Sequence, residues 1–480
     1  MKKNYYYLTF LFLLLSSLVQ AQFAHTWSKN LANETKTGSQ TKVIELKLDQ
    51  QGNSYAVGDL YQTGDFAPGP TVLDLTAGYA SGQVVWFGKY DTNGNVIFAK
   101  AIQGQYVNHA TSIAIDDAKN IFVTGYFRNR IDFDPGPGVV QETAFKITAY
   151  FAKYDSLGNY VYHRLIGNTS EDNWIRDIAV NSQNEVIVCG SFEGVVDFDQ
   201  GAGVTSLTSA GNRSPFFAKY DNSGSFVYVK SFDAYQDGDV TAIALDPNDD
   251  IYLGGIFGGT VDFDPGPGVV AISGGNYGLF FGRYSSAGAY KMAQGLWDTD
   301  YGGVTDIDVD ANLNIAISGL FYDYRDFDPG AGVVNIGSQG GSDIFIAKYD
   351  SLGNYIFAHG IGGSRADAAH AIGFDASGNI FVTGYFSWDV NFNPYGFAMI
   401  SAHPNRVELF LAKYDPAGNY IVAKYMPGDP IRDNIGAGLA VDGLGQPHIG
   451  GEYGHFIDMD PGAGAQNLPQ NSQSGFIGKY

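Results

Sequence analysis

The stretch "DFDPGPG" spans residues 132–138, and four close copies of it begin at Asp197, Asp262, Asp326 and Asp458. Looser copies begin at Asp65 and Asn391. The seven starting positions follow one another at intervals of 67, 65, 65, 64, 65 and 67 residues. Such a regular period is typical of an architecture that repeats one supersecondary unit along the chain. We number these units repeat 1 to repeat 7 in chain order.

Each repeat contains four runs of the kind that form β-strands. In repeat 2 they cover residues 112–115, 121–127, 150–154 and 160–165, are rich in Ile, Val, Tyr and Phe, and end at Gly, Asn or Asp. The segments "DDAKN" and "DSLGN" between them indicate tight hairpin turns in which Asp caps its own backbone. The sequence therefore predicts an all-β fold, a seven-bladed β-propeller of four-stranded antiparallel blades. We name the strands a to d from the axis outward.

The two ends of the chain supply complementary parts of one blade. The chain stops at "GFIGKY" (475–480), which matches a third strand, whereas "FAHTW" (23–27) matches the fourth-strand sequence "FAHGI" (357–361). We therefore expect the N-terminal strand to complete the last blade and close the ring, which removes open sheet edges. Residues 22–480 then form a single propeller domain.

Residues 1–21 have the pattern of a secretory signal peptide. Lys2 and Lys3 precede a short apolar run, and small residues precede Gln22. We expect an exported protein without a membrane span, located outside the cell, at the cell surface or in the periplasm. Cys189 is the only cysteine, so no intramolecular disulfide can form, and its apolar neighbours predict a buried structural residue.

The charge balance restricts the partners. The formal net charge is -22, yet only 16% of residues are charged and 15% are aromatic. This composition indicates a globular protein with a large core and argues against nucleic acid as a partner. We expect a monomer whose partner is a cation, a glycan or a basic protein surface.

Two recurring segments resemble a known family. "AKYDSLGNY" occurs at 152–160 and 347–355, and "GNIFVTGYF" at 378–386. Together they resemble the bacterial SBBP-type β-propeller repeat over essentially the whole chain after the signal peptide. The resemblance implies a propeller of an exported or surface protein and brings no catalytic residues with it.

The carboxylates of the repeated motif have two interpretations. An Asp-x-Asp pair before a Gly-rich turn can contribute oxygen ligands to calcium, although a full calcium loop offers further side-chain ligands in series. Asp before Pro-Gly is also a turn signature by itself, and the drift to Ala67, Asn391 and Asn393 fits that alternative. The candidate metal ligands, with calcium as the possible cofactor, are Asp132, Asp134, Asp197, Asp199, Asp262, Asp264, Asp326, Asp328, Asp458 and Asp460. Phe133, between two of them, should pack into the core.

Two further places carry charge. The b–c loops with the motif and the d–a links between blades should share one face, and acids in the links should make it negative: Glu171, Asp172, Asp237, Asp239, Asp298, Asp300, Asp367, Asp429 and Asp433.

On strand a, small residues suit the crowded axis. The charged exceptions there predict an acidic ring in the channel, filled by water or a cation: Glu45, Lys47, Asp177, Asp306 and Asp308.

Catalytic motifs are absent from the sequence. There is no HExxH, no GxSxG and no sialidase-type Asp-box. The repeats also vary little in length, whereas an enzyme should show one blade with long, atypical loops. We therefore expect a non-enzymatic binding or scaffold propeller with an acidic loop face. The alternative is an extracellular carbohydrate-active hydrolase or lyase with its site over the central channel.

Overall fold

The computed structural model describes residues 23–31, 40–67, 72–78, 83–167, 170–232, 234, 236–296, 301–403, 406–462 and 464–480. The predicted signal peptide at 1–21 lies outside the described residues. No helix in the described part of the chain has the length and apolarity to cross a membrane.

The described chain is built from short strands, and their bounds follow the repeats. Strand β1 (Trp27–Leu31) precedes repeat 1. Repeat 1 contains β2 (Gln40–Leu48), β3 (Ser54–Tyr61), β4 (Thr63–Asp65), β5 (Asp74–Thr76), β6 (Gln83–Tyr90) and β7 (Val96–Gly104). Repeat 2 contains β8 (Val107–Ile115), β9 (Ile121–Asp132), β10 (Gln141–Tyr154) and β11 (Tyr160–Ile166). Repeat 3 contains β12 (Asn173–Val180), β13 (Val186–Phe192), β14 (Val195–Asp197), β15 (Ser206–Thr208), β16 (Ser214–Tyr220) and β17 (Phe226–Ser231).

The later repeats follow the same order. Repeat 4 contains β18 (Asp239–Leu245), β19 (Ile251–Phe257), β20 (Thr260–Asp262), β21 (Ala271–Ser273), β22 (Gly278–Tyr284) and β23 (Tyr290–Leu296). Repeat 5 contains β24 (Gly302–Val309), β25 (Ile315–Phe321), β26 (Tyr324–Asp326), β27 (Asn335–Gly337), β28 (Asp343–Tyr349) and β29 (Tyr355–Ile361). Repeat 6 contains β30 (Ala368–Phe374), β31 (Ile380–Ser387), β32 (Asp389–Asn391), β33 (Met399–Ser401), β34 (Val407–Tyr414) and β35 (Tyr420–Tyr425). Repeat 7 contains β36 (Asn434–Val441), β37 (Pro447–Asp458) and β38 (Asn467–Lys479).

Within each repeat, strands a, b, c and d pair antiparallel with their neighbours. Repeat 3, for example, has the order β12-β13-β16-β17. Repeats 1 and 2 are joined into one eight-stranded sheet, because β7 pairs with β9 through Gln103 and Asp132. In the sheet of repeat 7 the order is β1-β38-β37-β36, so the N-terminal strand pairs with the C-terminal one from Trp27 opposite Lys479 to Leu31 opposite Gly475. Repeated four-stranded antiparallel sheets whose strands a contact one another make this a β-propeller.

The core lies between neighbouring sheets. Strand b is almost completely buried in every repeat because it is covered on both faces, so it is a near-continuous apolar run. Phe133 is fully buried, as predicted, and so are the equivalent residues of the other repeats: Phe66, Phe198, Phe263, Phe327, Phe392 and Met459. Cys189 is also fully buried, and burial raises the pKa of its thiol well above the usual range, which confirms a structural role.

The b–c connection contains an element that the sequence did not predict. In repeat 3 the short strands β14 and β15 pair with each other, and Asp197 stands opposite Ser206. The same two-stranded hairpin is β20–β21 in repeat 4 and β26–β27 in repeat 5. In repeat 2 it is the continuation of β9 and β10, where Asp132 stands opposite Gln141. The motif is therefore the turn of a small hairpin, with its first Asp at the end of the first arm.

Candidate functional site

The aspartates of each motif accept hydrogen bonds from the turn that follows them. Asp132 Oδ1 accepts from the backbone N–H of Asp134 at 3.2 Å and of Val140 at 2.8 Å, and Asp134 Oδ1 accepts from that of Gly136 at 2.7 Å. The same three bonds recur at Asp197 and Asp199, Asp262 and Asp264, Asp326 and Asp328, and Asp458 and Asp460. They are the bonds of an Asx-type turn.

The last glycine of the motif lies against the carboxylate of the second aspartate. A Cβ on Gly138 would lie 2.0 Å from Asp134 Oδ2, so that carboxylate occupies the space of any side chain. The same clash recurs at Gly203, Gly268, Gly332 and Gly464. Each pair stays within its own repeat, and no group of three or more His, Cys, Asp or Glu side chains is arranged to share a metal ion among the described residues. These contacts account for the turn, and calcium binding stays a prediction.

A tyrosine at the end of strand c fixes the position of the motif. Tyr154 Oη donates to the carbonyl of Phe133 at 3.1 Å, and Phe133 stacks on His163 of strand d with ring centroids 4.1 Å apart. The same bond joins Tyr220 to Phe198, Tyr284 to Phe263, Tyr349 to Phe327, and Tyr414 to Phe392. The start of the motif lies beside a d–a link, as predicted: Asp132 stands opposite Gln103 at the end of strand d of repeat 1, and the N–H of Asp458 donates to the carbonyl of Pro427 at 2.9 Å.

Several acids of the d–a links are not part of an exposed face. Asp239, Asp367 and Asp429 are buried. Asp239 Oδ2 accepts from Arg176 Nε at 2.8 Å, and the two oxygens of Asp367 accept from the backbone N–H groups of Ser387 and Gly363 at 2.6 and 2.9 Å. Asp298 and Asp300 lie outside the described residues. The face formed by the d–a links is therefore less negative than the number of its acidic residues suggests, because some of their carboxylates are buried and accept hydrogen bonds from the protein.

A β-bulge interrupts strand a at the same place in every repeat. In repeat 5 the register shifts between Val304 and Asp306, which leaves Thr305 without a partner on strand b. The unpaired bulge residues are Ile44, Thr111, Arg176, Thr241, Thr305, His370 and Ala437. A bulge turns one side chain out of the regular alternation of a strand. The fold therefore presents one extra side chain per repeat at a single level of the axis.

A glycine on strand b makes room for each bulge. A Cβ on Gly319 would lie 1.9 Å from the carbonyl oxygen of Gly303, two residues before the bulge residue Thr305. The equivalent glycines are Gly58, Gly125, Gly190, Gly255, Gly384 and Gly451, each 1.8 to 2.1 Å from the corresponding carbonyl. The glycine is thus constant in all the repeats because the bulge requires it.

The bulge residues of all the repeats line one cavity of about 330 Å³ at the mouth of the axial channel. Three of them are threonine and the other four are all different, although the strand around them is repeated closely, so the lining of the cavity is not the same in every repeat. Several of them tie one repeat to the next: Thr241 Oγ1 donates to the carbonyl of Val304 at 2.6 Å, and Thr305 Oγ1 to that of Ala369 at 3.0 Å. His370 Nδ1 lies 2.9 Å from the carbonyl oxygen of Gly436. The rim is therefore rigid where it faces the cavity.

Below the mouth, the charged residues predicted for the channel come together. Lys47 Nζ lies 3.5 Å from Glu45 Oε1, and burial opposes the charge of Lys47, but the surrounding carboxylates raise its pKa. Asp306 Oδ2 accepts from the N–H of Ile372 at 2.8 Å, and Asp177 Oδ2 from that of Ile243 at 2.9 Å. These carboxylates therefore staple strands a of neighbouring repeats, and the protein itself supplies a positive charge among them.

A second charged cluster borders the mouth at repeats 7, 1 and 2. The buried Asp59 has its Oδ2 3.2 Å from Lys42 Nζ and 2.9 Å from His109 Nδ1, and its Oδ1 accepts from the N–H of Ala110 at 3.0 Å. Burial raises the pKa of Glu452, against the effects of Lys42 and Gln473. Lys42 and Glu452 line the cavity, together with Arg176.

Neither this cluster nor the bulges were predicted from the sequence. Asp59 and Glu452 occupy the position after the constant glycine, which is Tyr126 in repeat 2 and Tyr385 in repeat 6. The sequence pattern that could have predicted this cluster is the constant Gly of strand b, followed directly by a residue that changes from repeat to repeat. None of the ten motif aspartates lines the cavity.

Comparison with known proteins agrees with the fold. No family model matches the sequence. An uncharacterized WD repeat-containing protein of Acanthamoeba polyphaga mimivirus is 22% identical over 484 aligned residues, which cover 84% of this chain and 34% of that protein. The chain thus spans about a third of that relative. This chain is a β-propeller repeat protein.

Solved structures with a similar course of the chain are more distant. Sqt1 from Chaetomium thermophilum is 9% identical, with a TM-score of 0.42 over 95% of this chain and 99% of that one. The polysaccharide lyase Uly1 is 10% identical, with a TM-score of 0.41 over 97% of this chain and 95% of that one. With TM-scores below 0.5, these likenesses say nothing about what this chain binds.

Proposed function

We propose that this protein is an exported, non-enzymatic binding propeller whose ligand enters the mouth of the axial channel. The observation that carries the proposal is the bulge ring: one position per repeat, held by a constant glycine, faces a common cavity, and its seven side chains are of five different types. Positions that are structural keep their residue from repeat to repeat, as Gly319 and its equivalents do. Variation at the one level that faces the cavity is what selection for a particular ligand produces.

We further propose that the propeller has seven blades, that its ring is closed by β1, and that it is of the SBBP type. Pairing of β1 with β38 supports closure, and so do the contacts of β2 with β8 on one side and β36 on the other. A hydrogen bond of 3.2 Å between Ser54 Oγ and His448 Nδ1 joins repeats 1 and 7. Deletion of residues 23–31 should therefore expose the edge of β38 and cause association between chains.

Export is proposed from the sequence of residues 1–21. The expected product of secretion begins at Gln22, and N-terminal sequencing of the protein from the periplasm or medium checks this. A protein that stays in the cytoplasm with Met1 in place would contradict it.

The binding proposal is tested by an unbiased ligand screen followed by a variant that fills the cavity. The purified protein is applied to arrays of glycans and of basic proteins, and each positive is measured again with Ala437→Trp. Ala437 is a cavity-lining bulge residue, so the indole occupies the cavity without removing a polar contact. We expect binding to be lost in Ala437→Trp and retained in Asp264→Ala, which alters only the motif turn.

A carbohydrate-active enzyme is the second candidate, and Glu452 favours it. A carboxyl with a raised pKa that interacts with Lys42, in a cavity that Arg176 also lines, has the chemistry of a general acid. Release of reducing ends or of unsaturated products from a polysaccharide, abolished in Glu452→Gln, would establish this candidate. No product in the wild type is the result expected of a binding protein.

Calcium at the ten motif aspartates is a separate proposal. An ion there would share Asp132 Oδ1 and its equivalents with the backbone donors of the turn. The other lone pairs of the two carboxylates and the backbone carbonyls of the turn are the remaining oxygen atoms that such a site could use. Any effect would be on stability, because the motifs lie away from the cavity.

A further inference from the structure

Three tyrosines form a continuous exposed row on the face around repeats 4 and 5. The rings of Tyr277 and Tyr301 have centroids 5.4 Å apart, and those of Tyr301 and Tyr322 6.5 Å apart, in edge-to-face contact. Their side chains are 41%, 58% and 36% exposed, respectively. Tyr277 precedes strand c of repeat 4, Tyr301 precedes strand a of repeat 5, and Tyr322 follows strand b of repeat 5.

Packing does not require tyrosine at these positions. The residue equivalent to Tyr322 is a tyrosine, Tyr61, in repeat 1, and it is Arg128, Glu193, Gly258, Ser387 and Gly454 in repeats 2, 3, 4, 6 and 7. The residue equivalent to Tyr301 is Gln40 in repeat 1, Val107 in repeat 2, Asp172 in repeat 3, Asp237 in repeat 4, Ala366 in repeat 6 and Asp433 in repeat 7. Only repeat 5 has tyrosine at both positions, so the continuous row is particular to this part of the ring.

A second aromatic pair lies in the neighbouring repeat 6. The ring centroid of Tyr385 is 5.4 Å from that of His370 at an interplanar angle of 74°. His370 is a bulge residue that lines the cavity. Its Nδ1 donates to the carbonyl of Gly436, and burial lowers its pKa, so Nε2 of the neutral ring remains a hydrogen-bond acceptor. Aromatic rings therefore lie both in the exposed row and at the channel mouth.

We propose that the row of Tyr277, Tyr301 and Tyr322, together with Tyr385 and His370, binds a neutral polysaccharide chain whose end reaches the channel mouth. This inference rests on the proposed binding function and names its ligand class. A sugar ring offers an apolar face for an aromatic side chain and hydroxyls for a phenolic oxygen, which both donates and accepts.

Charge and area favour this occupant. A formal net charge of -22 repels a polyanionic chain, so the polysaccharide is neutral. A stable protein–protein interface buries about 800 Å² on each partner, far more than three partly exposed tyrosines in single file offer. A row one side chain wide matches an extended chain of sugar units.

The test is affinity electrophoresis of the full-length protein, processed as in its host, in gels that contain barley β-glucan, xyloglucan, galactomannan or dextran, with alginate as the anionic comparison. At least one neutral polysaccharide should retard the wild type, and alginate should not. Tyr301→Ala and Tyr322→Ala together should weaken the retardation by about tenfold or more. The matched control is Tyr106→Ala, an exposed tyrosine of repeat 2 outside the row, which should migrate as the wild type. Unchanged melting temperatures of the variants exclude unfolding as the cause.

The outcomes separate this inference from the function it rests on. Retardation by no neutral polysaccharide, or equal retardation of the double variant, overturns the tyrosine row as a glycan site, as does retardation by alginate alone. If another ligand from the arrays is lost in Ala437→Trp and unaffected by the tyrosine variants, the mouth binds a ligand and the row does not. If polysaccharide binding depends on the tyrosines and survives in Ala437→Trp, the row stands and the proposal for the mouth falls.

Discussion

The glycine opposite the bulge gives the sharpest stability prediction, and repeat 5 offers a matched pair of substitutions. In Gly319→Ala the new methyl group would lie 1.9 Å from the carbonyl oxygen of Gly303 and 2.7 Å from Cε1 of Phe345. Phe345 is fully buried, and the carbonyl belongs to the bulge, so neither can retreat without moving strand a. Overpacking of a rigid core costs about 1–3 kcal/mol, and displacement of a backbone group places this case at the upper end, about 3 kcal/mol.

The control is Gly303→Ala, two residues before the same bulge, where a Cβ meets nothing within 4 Å. It should be neutral or slightly stabilising, because alanine reduces the entropy of the unfolded chain. Thermal unfolding followed by circular dichroism should lower the Tm of Gly319→Ala by on the order of 5 °C and leave that of Gly303→Ala within about 1 °C. Equal melting temperatures would refute the claim that the glycine exists to accommodate the bulge.

Three further perturbations have expected outcomes. Tyr284→Phe removes the 3.1 Å hydrogen bond to the carbonyl of Phe263 and should lower the free energy of unfolding in urea by about 1 kcal/mol. The control is Tyr90→Phe, which should be neutral because the buried hydroxyl of Tyr90 has no partner among the described residues. Equal losses in the two variants would contradict a stabilising role of the bond. Burial raises the pKa of Asp367 from 3.8 to about 7. Between about pH 4 and pH 7 the folded state therefore keeps a proton that the unfolded state has released. The free energy of unfolding should fall as the pH rises through this window. Melting temperatures across that window should fall less steeply in Asp367→Asn, and an unchanged slope would exclude Asp367 as the source. Calcium should raise the melting temperature and a chelator should lower it, and the difference between the two conditions should be smaller in Asp264→Ala than in the wild type. Identical melting curves with calcium and with the chelator would mean that the motif aspartates only form the hydrogen bonds of the turn.

Local rules predicted the parts of the fold that depend on neighbours in sequence. Asp155 caps the c–d turn of repeat 2, as its place in "DSLGN" predicts, and accepts from the N–H groups of Leu157 and Asn159, both at 2.9 Å. Burial acts to raise the pKa of this carboxyl, but those bonds outweigh it and lower the pKa. Phe133 is in the core for the reason predicted, since it alternates with two polar residues at a strand end.

The candidate site could not be predicted in the same way. The bulge at Thr305 shifts the alternation of strand a by one residue, so that the buried Val304 and Ile307 are three residues apart; this interruption was the available signal, but it does not by itself show where the extra side chain lies. The cluster around Asp59 joins residues of repeats 7, 1 and 2 that are far apart in sequence. The hydrogen bond from Tyr154 to the carbonyl of Phe133 is likewise a tertiary contact that no local pattern reveals.

The most direct test of the account is a titration of the ligand found in the arrays against wild-type protein, Ala437→Trp and Asp264→Ala. The account places the ligand in the cavity lined by the bulge residues, so affinity should be lost in Ala437→Trp and kept in Asp264→Ala. Full affinity in Ala437→Trp together with loss in Asp264→Ala would move the site to the motif turns and contradict the account.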